Sequence, residues 1–213
     1  MLLKLLGSVL IVGLALGARL APERTVDDHV LTSAHDPKVR VHLPKSAHYV
    51  GADRWVLYDL ADCELHAFVD ADSSKNVQRL YWVQFEQYLP SRPELHHTYD
   101  SPEHANIGGM DFYVDSWVRA RNEPTRTGSD LQHIVNLIEA KGYGIPAGMM
   151  YVRFVHLLDA QKRKELMIIY AEDVAASGYT APDLQRGGAL NDQWTSIQTK
   201  LVDRAKSSFS LAP

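Results

Sequence analysis

Four stretches of this 213-residue chain alternate apolar and polar residues in a way that gathers reactive and aromatic side chains on one side. Taking every second residue gives Trp82, Gln84, Glu86 and Tyr88 in VQRLYWVQFEQYL, then Asp111, Tyr113, Asp115 and Trp117 in MDFYVDSWVRAR. The same phase adds Tyr151 and Arg153, then Tyr170 and Glu172. Strand side chains alternate between two faces, so these sets share one face if the strands are neighbours. A solvated face carries more lysine and fewer tryptophans, because large aromatics gain most by leaving water. Aromatic walls with a few convergent polar groups are the make-up of a small-molecule site. Arg153 offers a planar fork to an anionic group, while Glu86, Asp115 and Glu172 supply carboxylates. The competing reading is structural, with Arg153 neutralising one of those carboxylates across a ladder.

A second group lies between Pro90 and Gly109, where His96, His97, Tyr99, Asp100 and His104 cluster. Nitrogen and oxygen donors of this kind suit a metal or acid–base work. Adjacent histidines on extended chain point to opposite sides, however, and the spacing matches no strong zinc pattern, so surface histidines and no metal or cofactor are expected. Cys63 is the one cysteine, which excludes an intrachain disulfide. Its acidic neighbours Asp62 and Glu64 raise a thiol pKa, so it reads as a packed cysteine rather than a nucleophile. The run from Gly142 to Gly148 has phosphate-loop glycines but contains Pro146 and follows a helix, which makes it a connector. No G-x-S-x-G, H-E-x-x-H, Walker or C-x-x-C motif occurs.

The elements that position these residues are mostly strands. Arg54 to Asp59, Glu64 to Asp70, Val77 to Leu89, Met110 to Arg121, Met149 to Leu157 and Leu166 to Glu172 are rich in β-branched and aromatic types between turn signals. Ser129 followed three residues later by Gln132 forms a capping box. Leu131, Ile134, Val135 and Ile138 then fill one helix face before Gly142. A second helix after Asn191 carries Trp194, Ile197, Leu201 and Ala205 on one side. The face made of Tyr81, Val83, Phe85, Phe112, Val114, Val152, Phe154, Met167, Ile169 and Ala171 is apolar and should receive both helices.

Residues Met1 to Leu20 begin with Lys4 and continue as an uncharged run over Leu5 to Leu16. That length suits a secretory h-region better than a ~20-residue membrane span. Small residues at Ala15 and Gly17 fit cleavage, with an uncleaved anchor as the alternative. Residues 19–45 hold three prolines and no sustained period, which reads as a linker ending in an extended arm at Val39, Val41 and Leu43. Apolar types at 46% and charged types at 23% exclude disordered and fibrous classes. A formal net charge of −4 gives no general attraction to nucleic acid.

The expected architecture is therefore α+β. It has a mainly antiparallel sheet of about five to six strands with two helices on one face, behind an N-terminal hydrophobic targeting helix. One domain over residues 46–213 follows a signal or anchor over 1–18 and a linker over 19–45. The expected function is an exported or membrane-tethered, non-catalytic domain. It binds a small molecule or a protein partner through Trp82, Glu86, Tyr113, Asp115, Trp117, Tyr151, Arg153 and Glu172, and contacts membrane only through its N-terminal segment. The alternative is a cell-envelope enzyme drawing on the same face and the 90–109 loop.

Overall fold

The computed structural model describes residues 20–101 and 103–213; the targeting segment expected over residues 1–18 lies outside them. Among the described residues no helix is long and apolar enough to cross a membrane. The fold is α+β and mainly antiparallel, built on two sheets.

The larger sheet has seven strands: β4 (His48–Leu57), β5 (Ala61–Ala71), β6 (Val77–Tyr88), β7 (Glu103–Ile107), β8 (Met110–Ala120), β9 (Gly148–Leu157) and β10 (Lys164–Asp173). Their spatial order is β4-β5-β6-β10-β9-β8-β7, antiparallel throughout. Gly108 and Gly109, with φ of 60° and 83°, turn β7 into β8. Positive φ at both central residues is what a two-residue hairpin loop requires. The segment over residues 90–109, expected to be a long loop or a loop with one short helical turn, thus ends in an edge strand.

A four-stranded sheet packs on one face of the larger one. It is formed by β1 (Thr25–Asp27), β2 (Val30–Ser33), β3 (Val39–His42) and the C-terminal β11 (Ser210–Ala212). Residues 19–45, expected to be a linker, therefore contain three strands, and Leu31, Val39 and Val41 are fully buried. The alternation at Val39, Val41 and Leu43 marks a face turned into the core, not a free arm. Glu64 of β5 ties the chain entering this sheet to the larger one. Its carboxylate accepts from the backbone amides of Glu23 and Arg24 at 2.8 and 2.9 Å and from His66 Nε2 at 2.8 Å.

The helices α1 (Asp130–Ala140), α2 (Ala181–Leu184) and α3 (Trp194–Ser207) do not share a face. Ile134 and Ile138 of α1 pack with Leu65, Ala67, Trp82, Tyr151, Met167 and Ile169. Leu184 of α2 and Leu201, Val202 and Ala205 of α3 pack with Tyr81, Val83, Phe85, Phe112, Phe154 and the small sheet. The expectation of two helices on one side is corrected accordingly: the larger sheet carries α2, α3 and the small sheet on one face, and α1 over part of the aromatic one.

Strand β10 also runs in the opposite phase from the one expected. Its register pairs Tyr170 with Tyr81 and Ile169 with Trp82, so Met167, Ile169 and Ala171 belong to the aromatic face, and Tyr170 and Glu172 to the other. One residue of slip exchanges the two sets completely.

Trp194 opens α3 only half-buried, whereas Leu201 is fully buried at the helix centre. Leu201→Ala should cost about 2–5 kcal/mol in urea unfolding, and Trp194→Ala clearly less, about 1–2 kcal/mol. The reverse ranking would show that α3 docks through its first turn.

Candidate functional site

Strand register assembles the aromatic face in rungs. One rung crosses the sheet as Ala67, Trp82, Ile169, Arg153, Asp115; the next as Leu65, Gln84, Met167, Val155, Tyr113. Beyond them lie Val69, Leu80, Ala171, Tyr151, Trp117 on one side and Cys63, Glu86, Glu165, Leu157 on the other. Helix α1 covers the β4–β5 half of this face. The half over β9 and β8 remains open beside the first turn of α1.

That opening is a cleft of about 260 Å³ lined by Trp82, Trp117, Tyr151, Met167, Ile169 and Leu131, with Arg119, Arg153, Ser129 and Asp130 as its polar members. Trp117 and Tyr151 are cross-strand partners stacked at 5.1 Å between centroids with their planes 2° apart, which makes a flat wall. Ser129 caps α1 as its sequence suggests, its side chain accepting from the Gln132 amide. The Gln132 side chain reaches back to the amide of Gly128.

The polar members are unevenly satisfied. Arg119 is held by Glu123, the carbonyl of Pro124 and Thr125. Arg153 gives one terminal nitrogen to Asp115 at 2.6 Å, but its Nε is buried with no partner. Asp130 Oδ1 is likewise buried and unpartnered, and burial raises the Asp130 pKa above the usual carboxylate value. A donor and an acceptor, each short of a hydrogen bond, thus both belong to residues lining one apolar-walled hollow.

Next to the cleft the face turns acidic. Trp82 Nε1 donates to Gln84 Oε1 at 3.0 Å and Gln84 Nε2 donates to Glu86 Oε2 at 3.3 Å, a file of side chains along β6. Glu86 stands directly across from Glu165. Residues of the loop before β7 close over this pair. Tyr99 Oη donates to Glu165 at 2.6 Å, and the His97 ring stacks between Tyr88 and Tyr99. Burial, reinforced by the charges of Glu165 and Asp130, pushes Glu86 up to about 8. Burial raises Glu165 to about 7 against the opposing effects of Tyr99 and Arg153. The His97 imidazole is pushed down to about 4 by the same cause.

Of the eight residues singled out in the sequence, Trp82, Trp117, Tyr151 and Arg153 line the cleft. Asp115 braces Arg153, while Tyr113 packs at a tilt against Tyr99 and His104 and does not line the cleft. Glu86 belongs to the acidic rung. Glu172 is on the far face, bonded to Tyr170 and Arg204, and is removed from the site. The sequence reading missed Met167 and Ile169, which a correct phase for β10 would have supplied. It also missed Asp130, Leu131 and Ser129; the helix start was legible, but nothing said over which strands it would lie. Of the loop histidines only His97 turns inward; His96 and His104 are exposed. Cys63 is fully buried, and burial with the neighbouring Glu86 and Asp130 raises its thiol pKa, so it is not poised as a nucleophile.

A larger hollow of about 580 Å³ lies between α1 and β4. There Trp55 stacks on His133 at 4.0 Å and His133 bonds Asp53 at 2.7 Å, which leaves the Trp55 Nε1 donor as the buried group without a partner. The smaller cleft has both an unpartnered donor and an unpartnered acceptor among its lining residues, where the larger hollow has a single donor, and this outweighs volume. No family model, curated protein or solved structure matches the chain.

Proposed function

We propose that the protein is a binding domain whose aromatic cleft takes a small planar organic molecule. That ligand carries a hydrogen-bond acceptor for Arg153 and a donor for Asp130. The single observation behind this reading is the pair of buried, unpartnered atoms, Arg153 Nε and Asp130 Oδ1, on residues lining one hollow walled by Trp82, Trp117 and Tyr151. An unsatisfied buried polar atom costs about 1–3 kcal/mol, which a ligand supplying both partners recovers. A recess of about 260 Å³ lies just below the ~300–1,000 Å³ typical of sites for drug-sized molecules, so the ligand is of modest size. A recess favours a small molecule over a protein surface.

The reading is non-catalytic because the buried histidine–carboxylate contact, His97 Nδ1 to Glu165 Oε2 at 3.1 Å, involves residues 6% and 3% exposed beneath the loop. A substrate in the cleft does not reach it directly. The apolar run over Leu5 to Leu16 supports placing the domain across or against a membrane, as an exported or tethered protein.

Arg153→Met tests the site, since it keeps the packed stem and removes the fork. The Arg153–Asp115 pair is 31% and 24% exposed, so its loss should cost no more than about 1 kcal/mol. Native mass spectrometry of protein purified from its host should show a bound compound that leaves on denaturation and is missing from the variant. A large fall in melting temperature with the compound retained would make Arg153 structural and overturn the assignment.

A further inference from the structure

Beneath the loop before β7, the acidic rung gathers donors in a pattern that ligand binding in the cleft does not use. Glu86, His97 and Glu165 each present one donor atom, and the three atoms lie within 4.8 Å of one another. They come from β6, from β10 and from the intervening loop, so only the folded chain brings them together. His97 is 6% exposed; its Nδ1 stands 3.1 Å from Glu165 Oε2, and its Nε2 is buried without a hydrogen-bond partner. Among the described residues, neither Glu165, at 3% exposed, nor Glu86 has a lysine or arginine within ion-pair distance.

Two facing carboxylates in such a place repel each other unless something positive lies between them. A ring nitrogen and a carboxylate oxygen 3.1 Å apart hold a proton or a cation in common. Donors bound at about 2.1 Å to one ion stand about 3.0 Å apart at right angles and about 3.4 Å apart at the tetrahedral angle, a range that includes the 3.1 Å found here. Around the three donors the remaining contacts act as braces. Tyr99 Oη bonds Glu165 and Gln84 Nε2 bonds Glu86, the kind of outer contact that orients ligating carboxylates. Cys63 and Asp130 each bring a donor atom within the same reach of Glu86 from the other side.

We propose that Glu86, His97 and Glu165 form a binding site for one divalent transition-metal ion. Two carboxylates and an imidazole suit zinc or manganese better than calcium or magnesium, which take oxygen donors. The ion neutralises the facing glutamates and fastens the loop carrying His97 and Tyr99 onto the sheet. The site stands on these residues alone and does not depend on what occupies the cleft.

The full chain, stripped with a chelator and dialysed against micromolar zinc chloride or manganese chloride, should retain one ion per chain by elemental mass spectrometry. At a hundredfold excess over the dissociation constant its melting temperature should rise by about 5–10 °C. His97→Ala and Glu86→Gln should each weaken retention by about 100-fold or more, whereas His96→Ala, on the exposed neighbour, should leave it intact. Ligand-field absorption on adding cobalt to the wild-type chain, lost on competition with zinc, reads the site without any variant. Failure of the wild-type chain to retain either ion would assign the space between the glutamates to protons and overturn the proposal. Retention unchanged in the folded variants would overturn it as well.

Discussion

Glu64→Ala should cost about 3–5 kcal/mol, the effect of leaving a buried charged partner uncompensated. Glu64 is 2% exposed and accepts four hydrogen bonds: from the amides of Glu23 and Arg24, from Arg24 Nη1 at 3.1 Å, and from His66 Nε2. The Arg24 guanidinium it holds also lies 4.2 Å from the centre of the Phe85 ring. Removing the carboxylate strands all of these donors at the junction of the two sheets. The pH dependence has a definite sign. Burial pushes the Glu64 pKa up, but the hydrogen bonds from His66 and the two amides, with the charge of Arg24, outweigh it and hold the group down to about 2. A carboxyl depressed in the folded state stabilises the fold above its unfolded value and loses that contribution as the pH falls towards the folded value. The wild type should therefore lose about 3 kcal/mol more than Glu64→Gln between about pH 5 and about pH 2. Urea unfolding of both proteins at the two pH values checks this, and parallel losses would deny Glu64 the role of clamp.

The second large effect belongs to the cleft. Trp117→Ala should weaken ligand binding by about 30-fold, the loss of an aromatic anchor worth ~2 kcal/mol. Trp117 is only half-buried and rests flat on Tyr151, so the fold should survive its removal. Competition between the wild-type and variant chains for the compound released from the wild type gives the ratio. Equal affinities would mean that the Trp117–Tyr151 wall is scenery and not part of the site.

How far the sequence led is clearest on β6 and β10. In β6 the polar residues Gln84 and Glu86 alternate with Val83 and Phe85, so the two faces separate on sight. In β10 the run Leu166-Met167-Ile168-Ile169 is apolar without a break, because both faces of a central strand are covered. Alternation then carries no phase, and Glu172 was assigned to the wrong side. The same double burial hid the placement of α1: its apolar face is plain in Leu131, Ile134 and Ile138, but either face of the sheet could have received it. Strands β1 and β2 are three and four residues long, too short for periodicity to stand out among the prolines of residues 19–45, whereas the alternation of β3 is legible but its pairing partners are not. His97 was recognised as a donor, but its partners Glu86 and Glu165 lie on strands that only tertiary pairing brings beneath the loop. Local spacing is silent about that.

The most direct test of the cleft uses the chain's own tryptophans. Its four indole groups, Trp55, Trp82, Trp117 and Trp194, occupy four different surroundings, and only Trp82 and Trp117 line the cleft. Indole N–H resonances of the isotope-labelled protein should be followed while a library of small planar acids and amides is titrated in. The account predicts that binders move the Trp82 and Trp117 signals together, with one common dissociation constant, and leave Trp55 and Trp194 in place. If nothing in the library shifts those two signals, or if the shifts fall on Trp55 in the hollow beside β4, the cleft is not the binding site.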